Sequence, residues 1–211
     1  MNLIIQEQDG FNVPMKVIGI TGGIGCGKSE VLRFLEDQGA YVIEADKLAH
    51  SLMSKGQKAY DNIVDEFGRG ILSEDGEIDR GKFSRLVFQD EALLARLNDI
   101  VHPEVKEYII NDINDKRTAG TIDYYIIEAA LLIQDGYKDI CDEMWYVYAD
   151  VDTRLSRLVK GRGGEASKYL SVMDNQDDED YYRLHSDEVI DNSGDFENTQ
   201  NVLKALLNKS R

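Results

Sequence analysis

Few cysteines, a shortage of basic residues and the lack of any long apolar run limit what this chain can be. Cys26 and Cys141 are the only two cysteines among 211 residues. So few thiols argue against a disulfide framework and for a reducing, cytoplasmic compartment. No apolar run approaches the ~18 residues that a membrane-spanning helix needs, so no membrane partner is expected. The first 14 residues carry no basic cluster and one short apolar run, Leu3–Ile5, so they are not expected to act as a secretory signal. Lys and Arg number 24 against 40 Asp and Glu, for a formal net charge of -16. A field of that sign repels phosphates, and no nucleic-acid partner is expected. A small anionic ligand responds to its own pocket, which must then be built from the minority of basic residues. Internal repeats and low-complexity tracts are also lacking.

What is present suits one globular unit of moderate size, with 42% hydrophobic and 30% charged residues. Residues 1–14 end at Pro14 and read as a disordered, dispensable extension whose deletion leaves activity intact. Directly after it, Val17–Thr21 reads as a short buried strand, and Val31, Leu32, Phe34 and Leu35 form a helical apolar stripe. Between them Gly22, Gly27, Lys28 and Ser29 satisfy G-x-x-x-x-G-K-[ST], the phosphate-cradling loop of nucleotide-binding proteins. Glycines let successive N–H groups converge on phosphate oxygens, and the helix opening there points its positive dipole end at the same charge. Lys28 is expected to reach the β- and γ-phosphates, and Ser29 to offer its hydroxyl to Mg2+. Gly23, Ile24, Gly25, Cys26 and Glu30 complete the predicted ATP-binding stretch. Cys26 sits among helix N-terminal amides beside Lys28, a setting that can lower a thiol pKa. It is either redox-sensitive or simply a small residue.

Downstream, Ala40–Ala45 reads as a second strand that delivers Asp46 to its carboxyl end, the edge at which open α/β sheets bind ligands. Asp46 is either a catalytic carboxylate or the cap of a helix starting at Lys47, and Glu44, on the same strand face, is a weaker candidate. From Lys55 to Lys116 the pattern is helical without a strong strand, as in a lobe inserted into a sheet. Pro103 predicts a helix ending near His102 and another beginning at Pro103. Asp65–Gly68 matches the GTPase D-x-x-G, but it lies in helical periodicity and no N-K-x-D follows, so the match is accidental. Tyr124–Ile127 predicts a third strand ending at Glu128, which either orients a metal or is a solvated strand end. Glu143–Tyr148 and Glu188–Ile190 predict strands four and five, with Trp145 in the core, and an amphipathic helix closes the chain. Arg154 and Arg157 share a helical face, and Arg162 lies past Gly161 in a flexible segment. Such arginines either stabilise a transferring phosphoryl group or form ordinary surface ion pairs. Asp177–Asp180 is expected to start a helix rather than bind metal.

Taken in order, Ile20–Ser29, Val42–Asp46, Ile78–Arg80 with Val87 and Phe88, Leu97–Pro103, Arg157 with Arg162, and Val189–Gly194 resemble the dephospho-coenzyme A kinases. The resemblance runs from Lys16 to about Leu207. It implies an α/β P-loop fold with three layers, a five-stranded parallel sheet, an inserted helical acceptor-binding lobe and a helical lid. On that basis the kinase domain spans 15–211, with its core at about 15–54, 118–156 and 186–211, the lobe at 55–117 and the lid at 157–185. The implied activity is ATP-dependent phosphorylation of the ribose 3'-hydroxyl of dephospho-coenzyme A, with Mg2+. Asp46, Lys28 and Arg157 are then the expected catalytic residues, and Arg157 and Arg162 join the ATP site. Asp46, Arg80, His102 and Lys106 fall in the acceptor region, and Ser29 and Glu128 at the metal. His102 could equally serve packing at a helix junction. Glu30, Glu44, Glu128, Ala130 and Gln134 depart from the family's usual residues, which weakens the assignment of Glu128 and of loop rigidity. The alternatives are another small-molecule P-loop kinase, acting on a nucleoside or nucleotide, and a nucleotide-switched binding protein.

Overall fold

The computed structural model describes residues 14–209, so the predicted extension lies outside the described residues except for Pro14. Five strands form one parallel sheet in the order β2-β3-β1-β4-β5: β1 Lys16–Thr21, β2 Tyr41–Glu44, β3 Tyr124–Glu128, β4 Glu143–Tyr148 and β5 Glu188–Asp191. Nearly continuous apolar runs suit such strands, because a parallel sheet covered by helices is buried on both faces. Alternate residues therefore feed two separate cores. Val17, Tyr125, Ile127 and Met144 enter one, while Ile18, Ile20, Ile126, Trp145 and Val147 enter the other.

The second core is closed by α1 (Lys28–Asp37) and α9 (Phe196–Lys209), through Val31, Leu35, Leu203 and Leu207. The first is covered by α2 (Ala45–Leu52), α3 (Lys58–Phe67), α4 (Arg80–Val87) and the long α5 (Glu91–Ala119). Local signals set these helices. Asp79 caps α4 by accepting from the Lys82 N–H, Asp90 caps α5 through the Ala92 N–H, and Gly120 ends α5 in the left-handed conformation at φ 61°. The remaining helices, α6 (Val151–Arg162), α7 (Ala166–Asp174) and α8 (Glu179–Leu184), lie between β4 and β5. Asp178, inside the acidic run, caps α8.

Three expectations need correction. Pro103 does not divide a helix, since α5 runs through it for 29 residues. Its ring removes the bond to the carbonyl of Asp99, but both residues are exposed, while Val101 and Val105 on either side are buried in the first core. The gap therefore faces water and packing holds both halves in line. Second, α2 starts at Ala45 with Glu44 at its cap position, so Asp46 lies in the first turn and is not the cap. Third, Gly161 is helical and Arg162 is the last residue of α6, and the chain breaks only at Gly163, whose φ is 69°.

Candidate active site

Strand order reverses at β1, which pairs with β3 on one side and β4 on the other. Its carboxyl end is therefore the crevice of the sheet. There the chain turns through Gly22–Gly27 into α1. Gly27 has φ 92°, a conformation costly for any residue with a Cβ. Gly22 is required for space, since a Cβ would stand 2.5 Å from the Val147 carbonyl oxygen. Lys28 folds back over the loop, donating to the Gly22 carbonyl at 2.7 Å, with Glu128 Oε1 3.6 Å from its Nζ.

Parallel register places Ile20, Glu128 and Glu44 side by side on β1, β3 and β2. Burial pushes the Glu128 carboxyl above the usual range. Lys28 partly opposes this, and the negative charges of Asp46 and Glu44 add to it. Glu44 itself pairs with Lys47 at 2.6 Å. Asp46 is exposed and opens into a pocket walled by His102, Ala129, Ala130 and Asp135, and His102 Nδ1 lies 3.3 Å from Asp135 Oδ1. Ala130 also borders the cleft over the phosphate loop, so the two cavities share a wall.

That cleft gathers Lys28, Ser29, Arg33, Glu128, Arg157 and Arg162 around the loop. Four cations against one acid make it locally positive in an acidic protein. Glu30 is exposed and does not line it. Arg157 donates to the carbonyls of Cys26 at 3.3 Å and Asn192 at 2.8 Å, so its guanidinium braces the loop. Lys106 is tied to the Asp135 and Gly136 carbonyls at 3.2 and 3.3 Å. Arg80 lies apart from Asp46 and His102. It borders a groove with His50, Met53, Ile78, Phe83 and Phe88, reached along α2.

Cys26 is only 1% exposed, and burial pushes its thiol pKa up against the pull of the Lys28 charge. The lowered pKa that a redox-sensitive loop needs is therefore not found, because dehydration outweighs the lysine. Three further residues hold the loop. Arg154 donates from Nε to the Ile24 carbonyl at 2.8 Å, and Gln176 accepts from the Ile24 N–H at 2.9 Å. Asn192, fully buried, donates to the Cys26 carbonyl at 2.9 Å and accepts from Thr199 at 2.9 Å. The spacing of Arg154 from Arg157 is visible in the sequence, and Asn192 falls in the Val189–Gly194 stretch that carries the resemblance, whereas nothing local marks Gln176.

Comparison with known proteins agrees with this geometry. The family model described as dephospho-CoA kinase matches residues 16–198. The dephospho-CoA kinase of Carboxydothermus hydrogenoformans is 36% identical over 92% of this chain and 94% of its own length. That of Aquifex aeolicus is 39% identical over 91% and 96%. The solved dephospho-CoA kinase of Campylobacter jejuni shares the fold, with TM-score 0.69 at 19% identity over 92% of this chain and 98% of that one. The chain belongs to the dephospho-CoA kinase family.

Proposed function

We infer that this protein uses ATP to phosphorylate the ribose 3'-hydroxyl of dephospho-CoA, giving CoA and ADP, the last step of CoA biosynthesis. The observation that carries the reading is that Ala130 lines two adjacent cavities, one holding the phosphate loop and the other Asp46. A donor phosphate and an acceptor hydroxyl can there approach within a single crevice.

Lys28 and the loop amides bind the β- and γ-phosphates, and Arg157 and Arg162 add positive charge where negative charge develops. Asp46 accepts a hydrogen bond from the 3'-hydroxyl and takes its proton as the oxygen attacks the γ-phosphorus. The bond to the β,γ-bridging oxygen breaks, and ADP leaves. A carboxylate is a weak base, so orienting the hydroxyl contributes more than removing its proton.

Ser29 and Glu128 are the groups that would hold Mg2+. No cluster of three or more His, Cys, Asp or Glu able to hold a metal exists among the described residues, which excludes a dedicated protein cage. One hydroxyl and one carboxylate do fit a cation that keeps its waters and takes its other ligands from phosphates. Ser29 and Glu128 would hold the ion, which would supply charge neutralisation at the triphosphate. Glu128 is available for this because its only cationic neighbour within 4 Å among the described residues is Lys28.

On the acceptor side, His102 shares the pocket of Asp46, and Lys106 supports that pocket by holding the turn at Asp135 and Gly136. We assign Arg80 to the diphosphate of the acceptor and the apolar walls of its groove to the pantetheine arm. The functional parts are accordingly a nucleotide core at about 15–54, 118–156 and 186–211, an acceptor lobe at 55–117 and a lid at 157–185. No helix among the described residues is long and apolar enough to cross a membrane.

The test is ADP release with MgATP and dephospho-CoA, against controls without acceptor and with adenosine, AMP or CMP, and mass analysis of the product. Release that requires dephospho-CoA, with one phosphate added at the 3' position, is the expected result. Turnover with a control acceptor alone would overturn the reading.

A further inference from the structure

Gln176 lies in the connection between α7 and α8, far from the loop in sequence and against it in space. Its side-chain oxygen accepts from the Ile24 N–H at 2.9 Å and from Arg154 Nη2 at 3.0 Å. Arg154 also donates to the Ile24 carbonyl at 2.8 Å. Both polar groups of the Ile24 residue are thus fixed from outside the loop, in a closed ring of three hydrogen bonds. The neighbouring Asp177 accepts from Gln134 Nε2, in the connection that follows β3. One short segment therefore bonds both to the phosphate loop and to the connection that follows β3.

The loop cannot impose this arrangement on itself. Gly25, the next residue, has φ 80° and no Cβ to restrict it, so the direction of the following amides depends on how Ile24 is held. Apolar packing holds the segment on one side alone, since α7 buries none of its residues while α8 buries Tyr182, stacked on Tyr146 of β4 at 4.9 Å. Gln176 and Asp177 supply the fixed contacts. We propose that Gln176 is a positioning residue for phosphoryl transfer, setting the phosphate loop for ATP through Ile24 and Arg154 when the lid segment lies against the loop. It acts through its bond to the loop backbone. This assignment rests on the kinase reading of the cleft.

The full-length chain carrying Gln176→Ala, Gln176→Asn or Gln176→Glu tests it. Calorimetry gives MgATP affinity, and steady-state kinetics give kcat with KM for ATP and for dephospho-CoA. Removing an acceptor that serves one backbone and one charged donor is expected to cost about tenfold in MgATP affinity and in KM for ATP. KM for dephospho-CoA should change less than twofold. Asn, one methylene short, should match Ala, and it serves in its place if Ala does not fold. Glu keeps an acceptor oxygen at the same reach and should return KM for ATP to within threefold of wild type. Wild-type MgATP affinity in the Ala and Asn variants, or equal defects in KM for both substrates, overturns the proposal, as does a Glu variant as impaired as Ala. Absence of dephospho-CoA-dependent turnover in the unmutated protein would instead overturn the kinase reading, leaving the MgATP affinities to decide the role of Gln176.

Discussion

Asp46 and Glu128 are both carboxylates at the same sheet edge, yet their surroundings suit them to different work. Asp46 is exposed in the first turn of α2 and opens into the acceptor pocket. Replacing it with Asn preserves shape and removes the proton acceptor, so kcat should fall about 100-fold or more with the fold intact. Turnover near wild type would mean that Asp46 neither orients nor deprotonates the acceptor. Glu128 is the buried partner of Lys28, with its carboxyl raised by burial. A raised folded pKa means that the native state holds this proton more tightly than the unfolded chain. The stability it contributes is present below the unfolded carboxylate pKa and lost as pH rises through the folded one. The Glu128→Gln protein should therefore have the higher Tm at neutral pH, and the two melting curves should converge on acidification through the carboxylate range. A gap that stays constant with pH would assign the difference to packing. Since Glu128 is also the proposed metal contact, the same variant should need more Mg2+ for half-maximal turnover. Cys26, dehydrated beneath the loop, should react with iodoacetamide only on the timescale of global unfolding, as mass spectrometry can follow. Rapid modification of the folded protein would restore the redox-sensitive alternative.

At the level of elements, what could be read from the sequence depended on how local each determinant is. Glu143–Tyr148 is a strand because six consecutive residues carry the pattern, and the observed β4 has those bounds. The phosphate loop was equally legible, since a glycine-rich turn followed by Lys and Ser meets its requirements within one segment. The side chains that hold the loop lie 130, 152 and 166 residues away from their partners, at Arg154, Gln176 and Asn192. No local periodicity encodes a hydrogen bond across such a separation. Pro103 shows the converse error, in which a strong local rule is overridden by tertiary burial of Val101 and Val105. Its cost should still be measurable. Pro103→Ala restores an amide that can bond to the Asp99 carbonyl, against a smaller loss from a more flexible unfolded chain. Urea unfolding should show a gain of about 1–2 kcal/mol. A loss would mean that the ring sets a bend in α5 that the native packing needs.

Across the whole molecule, apolar burial is distributed unevenly, and the distribution matches what a kinase of this kind requires. The two cores flank β1, β3 and β4, where Val17, Ile18, Ile20, Tyr125, Ile126, Ile127, Trp145 and Val147 are fully shielded from water. These strands fix the carboxyl edge on which the phosphate loop, Glu128 and the chain leading to Asp46 depend. Between α6 and β5 the balance is reversed. Only Tyr182 is buried in α8 and no residue is buried in α7, while Gly163 and Gly164 supply positive φ angles of 69° and 89° at the end of α6. Opening this segment exposes little apolar surface beyond Tyr182 and breaks few contacts, chiefly those of Gln176 and Asp177 and the stacking of Tyr182 on Tyr146, so its local unfolding free energy is expected to lie far below the global value. That is the property a lid needs in order to admit ATP and release ADP within a catalytic cycle. Native-state hydrogen exchange should show amides of α7 exchanging orders of magnitude faster than those of β1 and β3. Saturating MgATP should slow α7 selectively, because a bound triphosphate stabilises the loop to which Gln176 is tied. Equal protection in α7 and β1, or a nucleotide effect confined to the loop itself, would show that the segment is part of the rigid body and that the lid function resides elsewhere.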